Sequence, residues 1–259
     1  EGCFDVNNIL PAMAYYLEHY KNAISYAIVN NIVADASIER QWDMVKSRGV
    51  VSERNLGRSV EPLVDLMWNQ IYPYNYFCPT EKGGPGGHAY VGCAADVMAM
   101  IMKYWNYPEK GTGSHSYKPE MDEYGYPEQS ANFGETTYDW ANMPYQIDAN
   151  SPQEQIDAVA LLGYHCGVSV NMMYDDDGTG AGAYSSDVPW ALMKFFGYAQ
   201  SSYKKRTVSS QLWDSYIKDA IQMGRPIFYA GTSKDGGGHA FICDGMDENG
   251  LFHYNYGWS

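Results

Sequence analysis

Three short runs near the end of the chain set the strongest limit on its architecture. Pro226-Ile-Phe-Tyr-Ala-Gly, His239-Ala-Phe-Ile-Cys-Asp-Gly and Leu251-Phe-His-Tyr-Asn-Tyr are apolar and aromatic, and Gly-rich turns separate them. They predict three strands joined as an antiparallel meander. The periodic segments upstream are spaced for helices instead. Helices first and strands last predict an α+β fold, not alternating βαβ units around a parallel sheet.

The helical part opens with residues 11–29, whose apolar positions recur at helical spacing and whose Pro11 suits a first turn. A second helix is expected over residues 38–46. Ser52-Glu-Arg-Asn-Leu-Gly-Arg-Ser-Val is polar and aperiodic, so it predicts an exposed linker of the kind that proteases nick. From Val60 the character changes. Turn-rich Glu81-Lys-Gly-Gly-Pro-Gly-Gly leads towards Cys93-Ala-Ala-Asp-Val-Met-Ala-Met-Ile-Met-Lys-Tyr-Trp, a helix expected to end before Pro108. Ser151-Pro-Gln-Glu has the form of a capping box, with a helix to about Gly163. Further helices are expected over 187–197 and from Ser210, each closed by a glycine.

A hydrophobic content of 45% with 19% charged residues is enough to build a core. The net charge of −14 argues against a nucleic-acid partner, because phosphates demand Lys and Arg. No unbroken apolar run reaches the length of about 18 residues that a membrane helix needs, so no membrane insertion is expected. Five cysteines without a CxxC pair point away from zinc ribbons and thioredoxin-type redox motifs. A disulfide among Cys78, Cys166 and Cys243 stays open at this level. Glu1-Gly2-Cys3 lacks the features of a signal peptide, which predicts a processed or trimmed form.

Cys93 stands where a Gly-rich loop becomes a helix. Free N–H groups and the positive end of the helix dipole favour a thiolate there. The small neighbours Gly92, Ala94 and Ala95 leave room for a substrate backbone. A thiolate nucleophile needs an imidazole within hydrogen-bond reach. His239, behind Gly236, Gly237 and Gly238 at the mouth of a strand, is the first candidate, and those glycines indicate either close backbone approach or an open rim. His88, five residues before Cys93, ranks second. Asn255 on the following strand is the candidate to orient the imidazole, and Gln70 with the Cys93 amide to hold an oxyanion.

The order Gln70, Cys93, His239, Asn255 is that of papain-like enzymes. Four blocks narrow the match: Trp68-Asn-Gln-Ile-Tyr-Pro-Tyr-Asn, Gly92-Cys-Ala-Ala-Asp-Val-Met-Ala-Met-Ile-Met-Lys-Tyr-Trp-Asn-Tyr-Pro, Gly237-Gly-His-Ala-Phe-Ile-Cys-Asp-Gly and Phe252-His-Tyr-Asn-Tyr-Gly-Trp. Together they resemble the streptopain family of bacterial cysteine peptidases over residues 60–259. The resemblance implies a papain-like two-lobed fold, with Cys on a helical lobe and His on an antiparallel sheet lobe. It also implies endopeptidase action on protein or peptide substrates, secretion, synthesis as a zymogen, and no metal or organic cofactor.

By the same resemblance, residues 1–58 are the C-terminal part of a helical, inhibitory pro-segment and 59–259 the catalytic domain. Cleavage is then expected near residues 52–60, with Arg54 or Arg58 suiting a trypsin-like cut. The family's nucleophile falls on Cys93, its base on His239, its oxyanion glutamine on Gln70, and the asparagine and second tryptophan of its closing segment on Asn255 and Trp258. Tyr256 replaces the first tryptophan of that segment, so the ring expected to cover His239 is smaller. The family continues beyond the position of Ser259, which predicts an incomplete sheet lobe. These two departures motivate an alternative, a catalytically silent binding protein on a papain scaffold. Asp175-Asp-Asp-Gly-Thr-Gly lacks the ligand spacing of a calcium loop and is expected to be a solvated turn. His165-Cys166 is expected to pack at a helix end.

Overall fold

The computed structural model describes residues 59–119, 126–174, 181–199, 201, 203–232 and 237–258, together with 21, 24–26, 28–30 and 33. The chain divides into two compact units, Glu1–Leu56 and Gly57–Ser259. In the first unit, residues 24–26 and 28–29 are helical, and the Asn30 N–H donates to Tyr26 O at 3.0 Å. The expected second helix over 38–46, the linker up to Arg58, and the acidic turn 175–177 lie outside the described residues.

The second unit is built on helix α1, Cys93–Trp105. Residues 94–102 are all buried, which makes α1 a central helix covered all round and not an amphipathic surface one. Met98, Met100 and Met102 fill its surroundings, and Asp96 is the one charged side chain in that run. Asn106, in the left-handed conformation at φ 46°, ends the helix before Pro108, as expected. Strands β1 (His115–Tyr117) and β2 (Gln129–Ala131) form a small antiparallel pair.

Helix α2, Gln153–Ser169, packs on α1 and differs from the sequence expectation at both ends. Its first turn lacks the capping box, because Ser151 Oγ accepts instead from the Asp148 N–H at 2.9 Å. At the other end it runs past Gly163, which is a packing glycine: a Cβ there would stand 3.3 Å from Val91 Cγ1. His165 and Cys166 therefore lie inside α2 and not at a helix end. They are buried, with the Tyr138 hydroxyl 3.0 Å from His165 Nδ1. Burial lowers the His165 pKa to about 4.

The short strands β3 (Met173–Tyr174) and β4 (Ala181–Gly182) pair with each other. Helix α3 (Val188–Phe196) closes on Gly197 at φ 66°, and α4 (Ser210–Gln222) opens on Ser209, whose Oγ accepts from the Leu212 N–H. The chain then forms the expected antiparallel sheet β5–β6–β7, with β5 at Ile227–Thr232, β6 at Gly238–Met246 and β7 at Phe252–Asn255. Strand β6, in the centre, packs against α1. The start of the second unit is tied to the same strand. Val60 and Met246 exchange two backbone hydrogen bonds, and the buried Asp244 carboxylate accepts from the Val64 N–H and faces His253 Nδ1, each at 2.8 Å.

Candidate active site

Cys93 is the first residue of α1 and is half-buried. The turn delivering it depends on Gly92, whose φ of 88° an L side chain rarely adopts. A Cβ at Gly92 would also collide with Met172 Sδ and Cε. The conformation demands glycine there, while the flexible end of Met172 would have to move aside for a side chain. Gln70 reaches the same loop, since its carbonyl accepts from the Val91 N–H at 3.0 Å, two residues before Cys93. Its side chain is almost fully buried, and among the described residues its amide has no hydrogen-bond partner.

His239 stands at the start of β6, opposite Gly231 of β5. Its Nε2 lies 3.0 Å from the carbonyl oxygen of Tyr256. A carbonyl only accepts, so the hydrogen on that bond belongs to Nε2, and Nδ1 is left outside it. Gly238 beside it shows the open rim rather than close approach, because a Cβ there would meet nothing within 4 Å. His88 is engaged elsewhere, with Nδ1 at 2.9 Å from Cys78 O.

Around His239 the structure differs from two sequence expectations. Asn255 does not hydrogen-bond to the imidazole. Its Nδ2 donates to Leu66 O at 2.8 Å, and its Oδ1 accepts from the Gly257 N–H at 3.0 Å. Strand register is the reason: Asn255 pairs with Ile242, three residues along β6 from His239. Continuing that antiparallel register puts 256 across from 241 and 258 across from 239. Asn255 therefore holds the turn and the Gln70 segment, while the backbone of Tyr256 holds the ring. The covering ring is likewise Trp258, stacked on His239 at a centroid distance of 4.5 Å, whereas Tyr256 lies at 6.2 Å and packs on Phe241 at 5.0 Å. The exchange of tryptophan for Tyr256 does not uncover His239.

Gly257, between these two residues, lies against α1. Its φ is 67°, and a Cβ on it would collide with Asp96 Oδ2 and stand 3.5 Å from Met100 Cε. The turn that fixes His239 thus rests on the first turn of the helix that Cys93 begins. Asp96 itself was missed in the sequence, although a lone carboxylate within an apolar nine-residue run was the available signal. Burial raises its pKa to about 8, and its Oδ2 has no hydrogen-bond partner. The other three described thiols, Cys78, Cys166 and Cys243, are free and buried, and desolvation pushes the pKa of each upward, to about 12 for Cys78 and Cys243.

The Peptidase C10 family model matches residues 68–259. The chain is 35% identical over 216 residues to the thiol protease/hemagglutinin PrtT of Porphyromonas gingivalis, covering 79% of this chain and 24% of that protein. It is also 35% identical over 272 residues to streptopain of Streptococcus pyogenes, covering 99% of this chain and 64% of streptopain. It therefore spans about a quarter of the first relative and less than two thirds of the second. Among solved structures, active wild-type interpain A cysteine protease of Prevotella intermedia matches with a TM-score of 0.71 at 35% identity, covering 77% of this chain and 82% of that one. A prointerpain A fragment from the same organism matches with a TM-score of 0.72 at 30% identity, covering 99% of this chain and 75% of the fragment.

Proposed function

The chain belongs to the peptidase C10 family, and from that premise we propose that it is a secreted cysteine endopeptidase made as a zymogen. Its fold is the papain-like one, mixed helix and antiparallel sheet. The observation that carries the reading is the seating of His239 between the Tyr256 carbonyl and the Trp258 ring, on a turn that rests on the Cys93 helix.

In this reading the Cys93 thiolate attacks a peptide carbonyl. The Gln70 side-chain amide, without a hydrogen-bond partner among the described residues, and the Cys93 backbone N–H receive the developing oxyanion. His239 gives the Nδ1 proton to the leaving amine, and the acyl group remains on sulfur. His239 then takes a proton from water as the water attacks the thioester, and the acid leaves. Nε2 keeps its hydrogen on Tyr256 O throughout, so the imidazole stays in one orientation. No cofactor enters these steps.

Residues 1–58 act as the inhibitory pro-segment, removed by cleavage near residues 52–60. A cut before Ser59 preserves the Val60–Met246 pairing that anchors the second unit. The substrates are proteins or peptides.

Selective labelling tests the proposal. Under reducing conditions the processed protein is treated with an epoxysuccinyl inhibitor or iodoacetamide, mapped by mass spectrometry, and assayed on casein. Among the four described cysteines the label should fall on Cys93 alone, and casein hydrolysis should stop in proportion, since the other three thiols are buried. Labelling without loss of hydrolysis, or an idle and unlabelled protein, overturns the assignment. Replacing Trp258 with alanine should lower kcat about tenfold and KM much less, because the stacked indole orients the imidazole without carrying substrate binding. Steady-state kinetics on a peptide substrate reads this split.

A further inference from the structure

We propose that Asp96 is a positioning residue for His239: lying beneath Gly257, its carboxyl sets how deeply the 256–258 turn seats on α1. This builds on the reading of Cys93 and His239 as the reacting pair.

Three observations converge on Asp96. Its side chain is 3% exposed, three residues after Cys93, and its Oδ2 points into the interior without a hydrogen-bond partner. A Cβ on Gly257 would collide with that oxygen, and the φ of 67° also favours glycine there. On either side of Gly257 stand the two groups that fix the imidazole, the Tyr256 carbonyl at 3.0 Å and the Trp258 ring at 4.5 Å. Asn255 holds the turn through the Gly257 N–H, and Asp96 lies against the same glycine. A change in the volume, charge or hydration of this one carboxyl is therefore transmitted to His239 through a single glycine.

Charge matters because the positive end of the α1 dipole, in whose first turn Asp96 lies, opposes it only in part. Among the described residues no Lys or Arg pairs with Asp96. The titratable groups around it are Tyr74 and Cys166, both held neutral by burial, Cys93 one turn earlier on α1, and His239 beyond Gly257. Burial favours the neutral acid, whose pKa rises to about 8. Ionisation above that pH draws water under the turn and loosens the carbonyl and the indole from His239. The alkaline limb of the activity profile therefore contains an Asp96 ionisation.

The test compares Asp96→Asn, Asp96→Ala and Cys93→Ala with the wild type, all processed alike. It measures kcat and KM on a peptide substrate from pH 6 to 10, and the pH profile of Cys93 inactivation by iodoacetamide. Asparagine keeps the shape and the neutrality, so Asp96→Asn should stay within about twofold of wild type near pH 6.5, lose the fall in kcat around pH 8, and lose any step near pH 8 in the alkylation profile. Alanine leaves a void beneath Gly257, so Asp96→Ala should lose about tenfold in kcat with little change in KM. A wild-type kcat in Asp96→Ala, or Asp96→Asn profiles that superimpose on those of wild type, overturns the inference. If Asp96→Ala does not fold, the Asp96→Asn profiles decide alone. Activity surviving in Cys93→Ala instead overturns the assignment of the reacting pair.

Discussion

Replacing Cys93 with alanine should lower turnover of a protein substrate by at least about a thousandfold, and replacing His239 should do nearly the same. The two losses should not add. Sulfur without an imidazole to take and return a proton is a poor nucleophile and a poor acyl carrier, and an imidazole without sulfur has nothing to activate. The double variant should therefore sit close to Cys93→Ala. The residual rate should come from Gln70 and from binding, because the Gln70 amide stays in place through its own backbone bond to Val91. Both variants should remain folded. Cys93 is half-buried at a helix start and only partly packed against the core, and His239 stands at the rim of β6. Casein hydrolysis, with thermal unfolding as control, checks the prediction. A Cys93→Ala protein that digests casein normally removes the cysteine-peptidase reading, and a double variant far below both single ones removes the coupled pair.

Local chemistry dictates part of this structure, and register and packing decide the rest. The start of α1 at Cys93 and the three strands of the sheet were legible, because a Gly-rich entry, an apolar helical run and Gly-bounded aromatic runs each admit few backbone solutions. The length of α2 was not. Gly163 reads as a stop, and only the approach of Val91 from another part of the chain shows why a glycine sits inside the helix. The identity of the residues around His239 was legible from the motif order, but their atomic roles were not. Those roles depend on the pairing of Ile242 with Asn255 and on the irregularity between Cys243 and Gly245, which together set which residue of the closing segment faces His239. One step of register exchanges side chain for backbone, and this is how Tyr256 contributes a carbonyl while Trp258 contributes the ring.

Asp96→Asn should make the protein more stable at neutral and alkaline pH and change little near pH 4. The wild-type carboxyl ionises near pH 4 when unfolded and near pH 8 when folded. Between these values the folded state holds a proton that the unfolded state has released, so stability falls as pH rises through the window. The loss is complete above about pH 8. A displacement of about four pH units corresponds to roughly 5 kcal/mol, reduced by whatever water reaches the carboxylate, so a gain of about 2–5 kcal/mol is expected for Asp96→Asn at pH 8. Both neutral side chains leave a buried polar group short of a partner, so that cost largely cancels between them. Urea unfolding of the two proteins at pH 4.5, 6 and 8 tests this through the slope of the difference, not its absolute size. A difference that stays flat across the three pH values would mean that Asp96 is solvated or compensated when folded, and the support it gives the Gly257 turn would then be steric alone. A rising difference would mean that the fold retains a costly acid under the turn that orients His239, where an amide would be more stable.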